Sequence, residues 1–199
     1  MNYSDELKIV WVTPMRTATR TCGVLQKIYN FDISSQHGYS TKKDKLDYTL
    51  ILNIRNPYSR LASLFRIFLH NNKSYSIDFE SWIRGIIKKE FTNTDMLRGY
   101  EFYLDKIIDN IGKTPDYYVR VEFLEKDLKS LPFVKNGDID LSGYFETQIY
   151  NNCYEKEFGD VNDWKLLYTQ ELADLVYFGM EKQFTLFNYN KDYWKDGTP

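Results

Sequence analysis

Two arginines and three threonines fall together at Arg16-Thr17-Ala18-Thr19-Arg20-Thr21. Such a small, hydroxyl-rich turn between an apolar run and an amphipathic segment brings backbone N–H groups, the positive end of a helix, hydroxyl donors and two full charges to one point. That is chemistry for an anion. The Gly-Lys-Ser/Thr ending of a nucleoside-triphosphatase loop is missing, so the turn alone does not name the anion. A second junction carries Arg55, in Ile54-Arg55-Asn56-Pro57. A guanidinium at a strand end offers paired donors to a phosphate.

The elements that must position these residues follow from the hydrophobic pattern. Leu7 to Val12 reads as a strand, the loop follows, and Val24, Leu25 and Ile28 recur at helical spacing in a first helix. A short second strand is expected at Phe31-Asp32-Ile33-Ser34, then a polar turn around His37 and a solvated charge run at Lys42-Lys43-Asp44-Lys45. Tyr48 to Ile54 is a continuous β-prone run, the mark of a parallel strand buried on both faces. Asn56 can cap and Pro57 suits a first helical turn, so a helix is expected through Leu61, Leu64, Phe65 and Phe68. Strand followed by helix thus occurs twice with an arginine at the junction. Ligands of open α/β sheets sit beyond the carboxyl ends of the strands, so both junctions can serve one ligand.

Two further helices are expected over Ile77 to Glu90 and Met96 to Asn110, and a strand over Tyr117 to Val121 leading through Glu122 to a short helix. Leu131 to Trp164 lacks a period and has the length of a functional lid. Thr169 to Phe184 reads as one last amphipathic helix, with an aromatic tail packing back.

At 199 residues and 43% hydrophobic, the chain suits one domain over 1–199. A formal net charge of -2 argues against a general nucleic-acid or membrane-surface binder, so anion recognition must be local. The N-terminus is polar and acidic, without a signal-peptide pattern, and no stretch reaches the length of a membrane span. The expectation is a reducing cytoplasm, with Cys22 and Cys153 as free thiols and Cys22 as a small buried hydrophobe. The cysteines and histidines lack ligand spacing, so no metal is expected.

Arg55-Asn56-Pro57-Tyr58-Ser59-Arg60-Leu61-Ala62-Ser63 resembles the segment of 3'-phosphoadenosine 5'-phosphosulfate (PAPS) sulfotransferases that holds the cofactor's 3'-phosphate. The resemblance assigns that phosphate to Arg55 and Ser63. Met15-Arg16-Thr17-Ala18-Thr19-Arg20 is similar to the family's 5'-phosphosulfate loop, with Arg16 as the basic residue at the bridging oxygen, Ala18 as the small one and Thr17 and Thr19 as hydroxyl donors. It departs from the family in having Pro14 one place early and Arg20 where a threonine is usual; Thr21 completes the cofactor-binding set. Arg120-Val121-Glu122-Phe123-Leu124-Glu125-Lys126-Asp127 resembles a further family segment, and the stretch from Tyr168 to Tyr189 resembles the C-terminal helix of the carbohydrate branch.

The resemblance implies an α/β fold with a mostly parallel central sheet flanked by helices, in the P-loop-NTPase-like architecture of sulfotransferases. It implies transfer of a sulfuryl group from PAPS to an acceptor hydroxyl, most plausibly of a carbohydrate, leaving adenosine 3',5'-bisphosphate and needing no metal. Arg16 would stabilise the leaving group electrostatically, since guanidinium holds its proton. His37 lies where the heparan branch keeps a catalytic histidine and is the candidate base, with Glu122 as its rival. His70 reads as a helix C-terminal residue. Two alternatives stand beside this reading: a P-loop-type nucleotide kinase, and a non-catalytic nucleotide-binding module of the same fold. A bacterial or viral cytoplasmic enzyme is expected, with no nucleic-acid or membrane partner.

Overall fold

The computed structural model describes residues 2–33, 45, 47–72, 76–88, 108–109, 111–135 and 161–196. His37, the charge run at 42–44, Cys153 and nearly all of the helix expected at 96–110 lie outside the described residues, as do residues 136–160 of the expected lid. The chain is α/β, and its contacts divide it into two compact units: Met1–Arg55 with Leu104–Thr147, and Asn56–Tyr103 with Gln148–Pro199. The described helices are α1 (Thr19–Ile28), α2 (Pro57–Asn71), α3 (Phe79–Ile87), α4 (Leu124–Lys129), α5 (Gln170–Gly179), α6 (Glu181–Phe187) and α7 (Tyr193–Asp196). Among the described residues no helix is long and apolar enough to cross a membrane.

The first unit holds an open five-stranded sheet of β1 (Asn2–Ser4), β2 (Ile9–Val12), β3 (Asp32–Ile33), β4 (Thr49–Ile54) and β5 (Tyr117–Arg120), in the order β3-β1-β2-β4-β5. β2, β4 and β5 run parallel, and for β4 its unbroken apolar run predicts this. The sheet is nevertheless mixed, because β1 pairs antiparallel with both β2 and β3. The polar N-terminus concealed that strand: Asn2 and Ser4 are buried, and Asn2 Nδ2 donates to Gln26 Oε1 at 2.5 Å. The same bond sets the face that α1 presents. Thr21, Cys22, Leu25 and Gln26 are buried, whereas Val24 and Ile28, expected on the apolar face, are exposed. Ile9, Trp11, Cys22, Leu25, Phe31, Ile51, Val119, Leu124, Leu128 and Leu131 form the core of this unit.

Strand register is pinned at the entry to β5, where Asp116 Oδ2 accepts from the Leu50 N–H at 2.7 Å and the Asp116 N–H donates back to the Leu50 carbonyl at 2.8 Å. At the exit of β5, Asp127 in α4 accepts from the Arg120 backbone and from both Nε and Nη2 of its guanidinium, at 2.7 to 2.9 Å. This two-pronged pair closes the strand onto the following helix.

The second unit is helical. α2 starts as its sequence dictates, with Asn56 Oδ1 accepting from the Tyr58 N–H at 3.0 Å and Pro57 in the first turn. Its core is aromatic: Tyr58, Phe65, Phe79, Trp82, Tyr168 and Phe184 pack with ring centroids 5.0 to 5.3 Å apart in successive pairs. The Tyr168 hydroxyl donates to the Tyr58 carbonyl at 2.9 Å, and the Tyr58 hydroxyl donates to the Lys191 carbonyl at 2.8 Å, tying the tail to α2. The single helix expected over 169–184 is two helices, α5 and α6, broken at Met180 (φ -128). Gly179 ends the first because α3 passes close by; a Cβ there would lie 2.7 Å from Ile87 Cδ1.

Candidate anion site at the ends of the parallel strands

Val12, the last residue of β2, stands level with Leu52 of the parallel β4, which runs two residues further to Ile54. Thr13 to Ala18 leave β2 and turn into α1, while Arg55 follows directly on β4. The convergence expected from sequence is present within this unit: Arg55 Nη1 donates to the Arg16 carbonyl at 3.3 Å.

The loop is shaped by its carbonyls. Thr17 Oγ1 and the Thr17 N–H both donate to the Pro14 carbonyl, at 2.6 and 3.2 Å, and Thr19 Oγ1 donates to the same oxygen at 3.0 Å and more weakly to Thr13 at 3.4 Å. Ala18 accepts from the Cys22 N–H at 3.0 Å, and the Thr17 carbonyl accepts from Asn53 Nδ2 at 2.6 Å. With the Arg55 contact, the carbonyls of Thr13, Pro14, Arg16, Thr17 and Ala18 are all turned to donors of the unit itself. A loop whose negative ends are neutralised inward leaves the field at its lip to the N-terminus of α1 and the guanidinium groups.

Two residues stand in the left-handed region to achieve this, Arg16 (φ 66) and Ala18 (φ 59). Neither is glycine, so each holds strain of order 1 kcal/mol that the surrounding bonds maintain. Ala18 is the N-cap of α1, which has no side-chain cap and no acid in its first turn. That end of the helix is therefore suited to an external negative charge. The sequence reinforces it: residues 7–31 and 48–55 of this unit contain no Asp or Glu, in a chain with 28 acids.

Thr17 and Thr19, expected to bond a ligand through their hydroxyls, instead brace the loop from within; Thr17 is fully buried. Thr21 is buried and Arg20 exposed in the first turn of α1. Arg16 and Arg55 are both half-buried. Ser63 is buried on α2 and belongs to the second unit. Of the candidate bases, His37 lies outside the described residues. Glu122 is half-buried and lines a cleft of about 470 Å³ with Phe123, Lys126 and Lys129. No group of His, Cys, Asp and Glu suited to a metal occurs among the described residues.

Sequence reasoning missed Asn53. It is fully buried in β4, donating to the Thr17 carbonyl and, at 3.0 Å, to Cys22 Sγ, while its Oδ1 accepts from Trp11 Nε1 at 2.8 Å. A lone amide inside an apolar strand was the available signal, since a buried amide must find partners. Cys22 is buried as expected, and that burial pushes its thiol up to about 12 despite the Asn53 hydrogen bond. Comparison with protein-family models, with curated proteins and with solved structures gives no match, so the functional reading stands on this geometry and on the residue patterns.

Proposed function

We propose that this chain is a PAPS-dependent sulfotransferase, acting on an acceptor hydroxyl and most plausibly on that of a carbohydrate. The observation that carries the reading is the Arg55 guanidinium bonded to the Arg16 carbonyl of the loop, beyond the carboxyl ends of two neighbouring parallel strands. It supports one polyanionic ligand reached from both junctions. The strand-loop-helix run from β2 to α1 with β4 parallel beside it supports a P-loop-like arrangement, with β1 and β3 as an antiparallel margin.

PAPS supplies the sulfuryl group, which passes to the acceptor by in-line displacement as the bridging oxygen to phosphate leaves. The loop and the N-terminus of α1 bind the 5' end. Arg16 offsets the charge that develops on the leaving oxygen and donates no proton. Arg55 takes the 3'-phosphate. The acceptor proton goes to a base, His37 or Glu122.

The test is a calorimetric titration with adenosine 3',5'-bisphosphate and with ADP, each with and without Mg²⁺. The bisphosphate is expected to bind more tightly and without the metal, and Arg55→Ala to weaken it about 10- to 100-fold, the worth of a charge-assisted hydrogen bond. Tighter ADP binding, or an unchanged affinity in Arg55→Ala, overturns the proposal in favour of a kinase-type or other nucleotide site.

A further inference from the structure

We propose that Asn53 is the positioning residue of the anion loop: its side-chain amide, not the loop's own sequence, holds the Thr17 carbonyl inward and so keeps the loop in its anion-accepting form. The role in ligand binding rests on the loop being the anion site; the role in loop shape does not.

The inference starts from what an anion loop must avoid. A carbonyl oxygen at the lip repels a phosphate or sulfate as strongly as an N–H attracts it, and a peptide flip exchanges one for the other. Thr17 lies between Arg16 and Ala18, the two residues at positive φ, so its carbonyl belongs to the segment where alternative backbone conformations are nearest in energy. No glycine is present from Thr13 to Cys22 to absorb the strain. The carbonyls of Thr13, Pro14, Arg16 and Ala18 accept from donors of the loop, of α1 or of the Arg55 guanidinium. The Thr17 carbonyl is held by a buried side chain of the sheet, at 2.6 Å. Asn53 is itself immobilised: it has no exposed surface, and its Nδ2 donates to Cys22 Sγ as well as to the Thr17 carbonyl, which fixes the nitrogen end of the amide without Trp11.

Asn53 and Trp11 share one network, and this supplies the control. Trp11→Phe removes the bond to Asn53 Oδ1 and leaves the amide donor to Thr17 in place. Asn53→Asp keeps the acceptor for Trp11 and removes the donor; Asn53→Ala removes both without burying a charge, and keeps the test open if the aspartate does not fold. Backbone amide exchange by NMR on the ligand-free protein is the first readout. In the Asn53 variants the amides of residues 15–19 are expected to exchange at least 10-fold faster while those of β2 and β4 stay within 3-fold of wild type. Trp11→Phe is expected to leave loop exchange within 3-fold at a comparable loss of melting temperature. Loop protection that survives in both Asn53 variants, or falls equally in Trp11→Phe, overturns the positioning role and makes the amide a structural bond only. The second readout is the affinity for adenosine 3',5'-bisphosphate, expected to fall at least 10-fold in the Asn53 variants and less than 3-fold in Trp11→Phe. If wild type binds no bisphosphate while the Asn53 variants still loosen the loop, the positioning role stands and the sulfotransferase reading falls.

Discussion

Arg16 is doubly constrained, its backbone left-handed and its carbonyl bonded by Arg55, so its guanidinium projects from a fixed base. If it stabilises charge only in the transition state, its loss affects turnover more than binding. Arg16→Ala is accordingly expected to lower kcat about 10²- to 10³-fold with bisphosphate affinity reduced less than 10-fold, measured by radiolabelled sulfate transfer and calorimetry. Equal losses in both would make it a binding residue. Cys22 makes an opposite case, a nucleophile by type that burial silences. Its thiol is raised from 9.0 to about 12, so between those values the unfolded chain loses a proton that the folded one keeps. The resulting stabilisation is complete below about pH 9 and declines as pH rises toward 12. Wild type should therefore lose part of its advantage over Cys22→Ala as urea melts move from pH 8 to pH 10.5. In Cys153→Ser protein, the remaining thiol should react with a disulfide reagent only after unfolding.

The elements show why part of the site was readable and part was not. The run Thr49–Ile54, the Asn56 cap, Pro57 and the apolar positions of α2 all act locally, and the structure keeps each of them. The β2-loop-α1 junction and the short helix after β5 were legible for the same reason. The face of α1 was not: Val24 and Ile28 gave the better apolar pattern, yet the Asn2 amide in an unanticipated strand draws Gln26 inward. Asn53 escaped notice because its meaning lies in partners 31, 36 and 42 residues away in sequence. The bonds from the Thr17 and Thr19 hydroxyls to the Pro14 carbonyl were not legible either, because they depend on the turn of the loop backbone. Two substitutions separate helix propensity from loop strain. Gly23 lies within α1 with nothing within 4 Å of a Cβ, so Gly23→Ala is expected to stabilise by about 1 kcal/mol with ligand affinity unchanged. Ala18→Gly relieves a left-handed alanine and should gain about 0.5 to 1 kcal/mol in chemical denaturation, but loosen the loop and weaken the bisphosphate.

At the scale of the whole molecule, the net charge of -2 hides a segregation of charge along the chain. Residues 7–31 carry Lys8, Arg16, Arg20 and Lys27 with no acid, and residues 48–77 carry Arg55, Arg60, Arg66 and Lys73 with none. The acids are confined to the remaining segments. Overall composition therefore argues against a general nucleic-acid or membrane-surface binder and is silent about local anion recognition. Attraction to the Arg16, Arg20 and Arg55 charges of the first unit weakens as salt shortens the Debye length from about 14 Å near 0.05 M to roughly 4 Å at 0.5 M. Bisphosphate affinity is expected to fall several-fold over that range, read by calorimetry; a salt-independent affinity would place binding away from the two acid-free stretches.

The anion loop has one more consequence, in entropy and rate. Most phosphate loops rely on glycine for their left-handed turns and must give up its freedom when a ligand orders them. Here Arg16 and Ala18 occupy those turns, and threonine hydroxyls and a sheet amide lock the backbone before any ligand arrives. If the loop takes the proposed anion, the ordering penalty is met during folding instead of at each encounter, and the ligand meets a rigid socket. Association then needs no search for the competent loop shape, and the strain stored at the two residues belongs to the free protein as much as to the bound one.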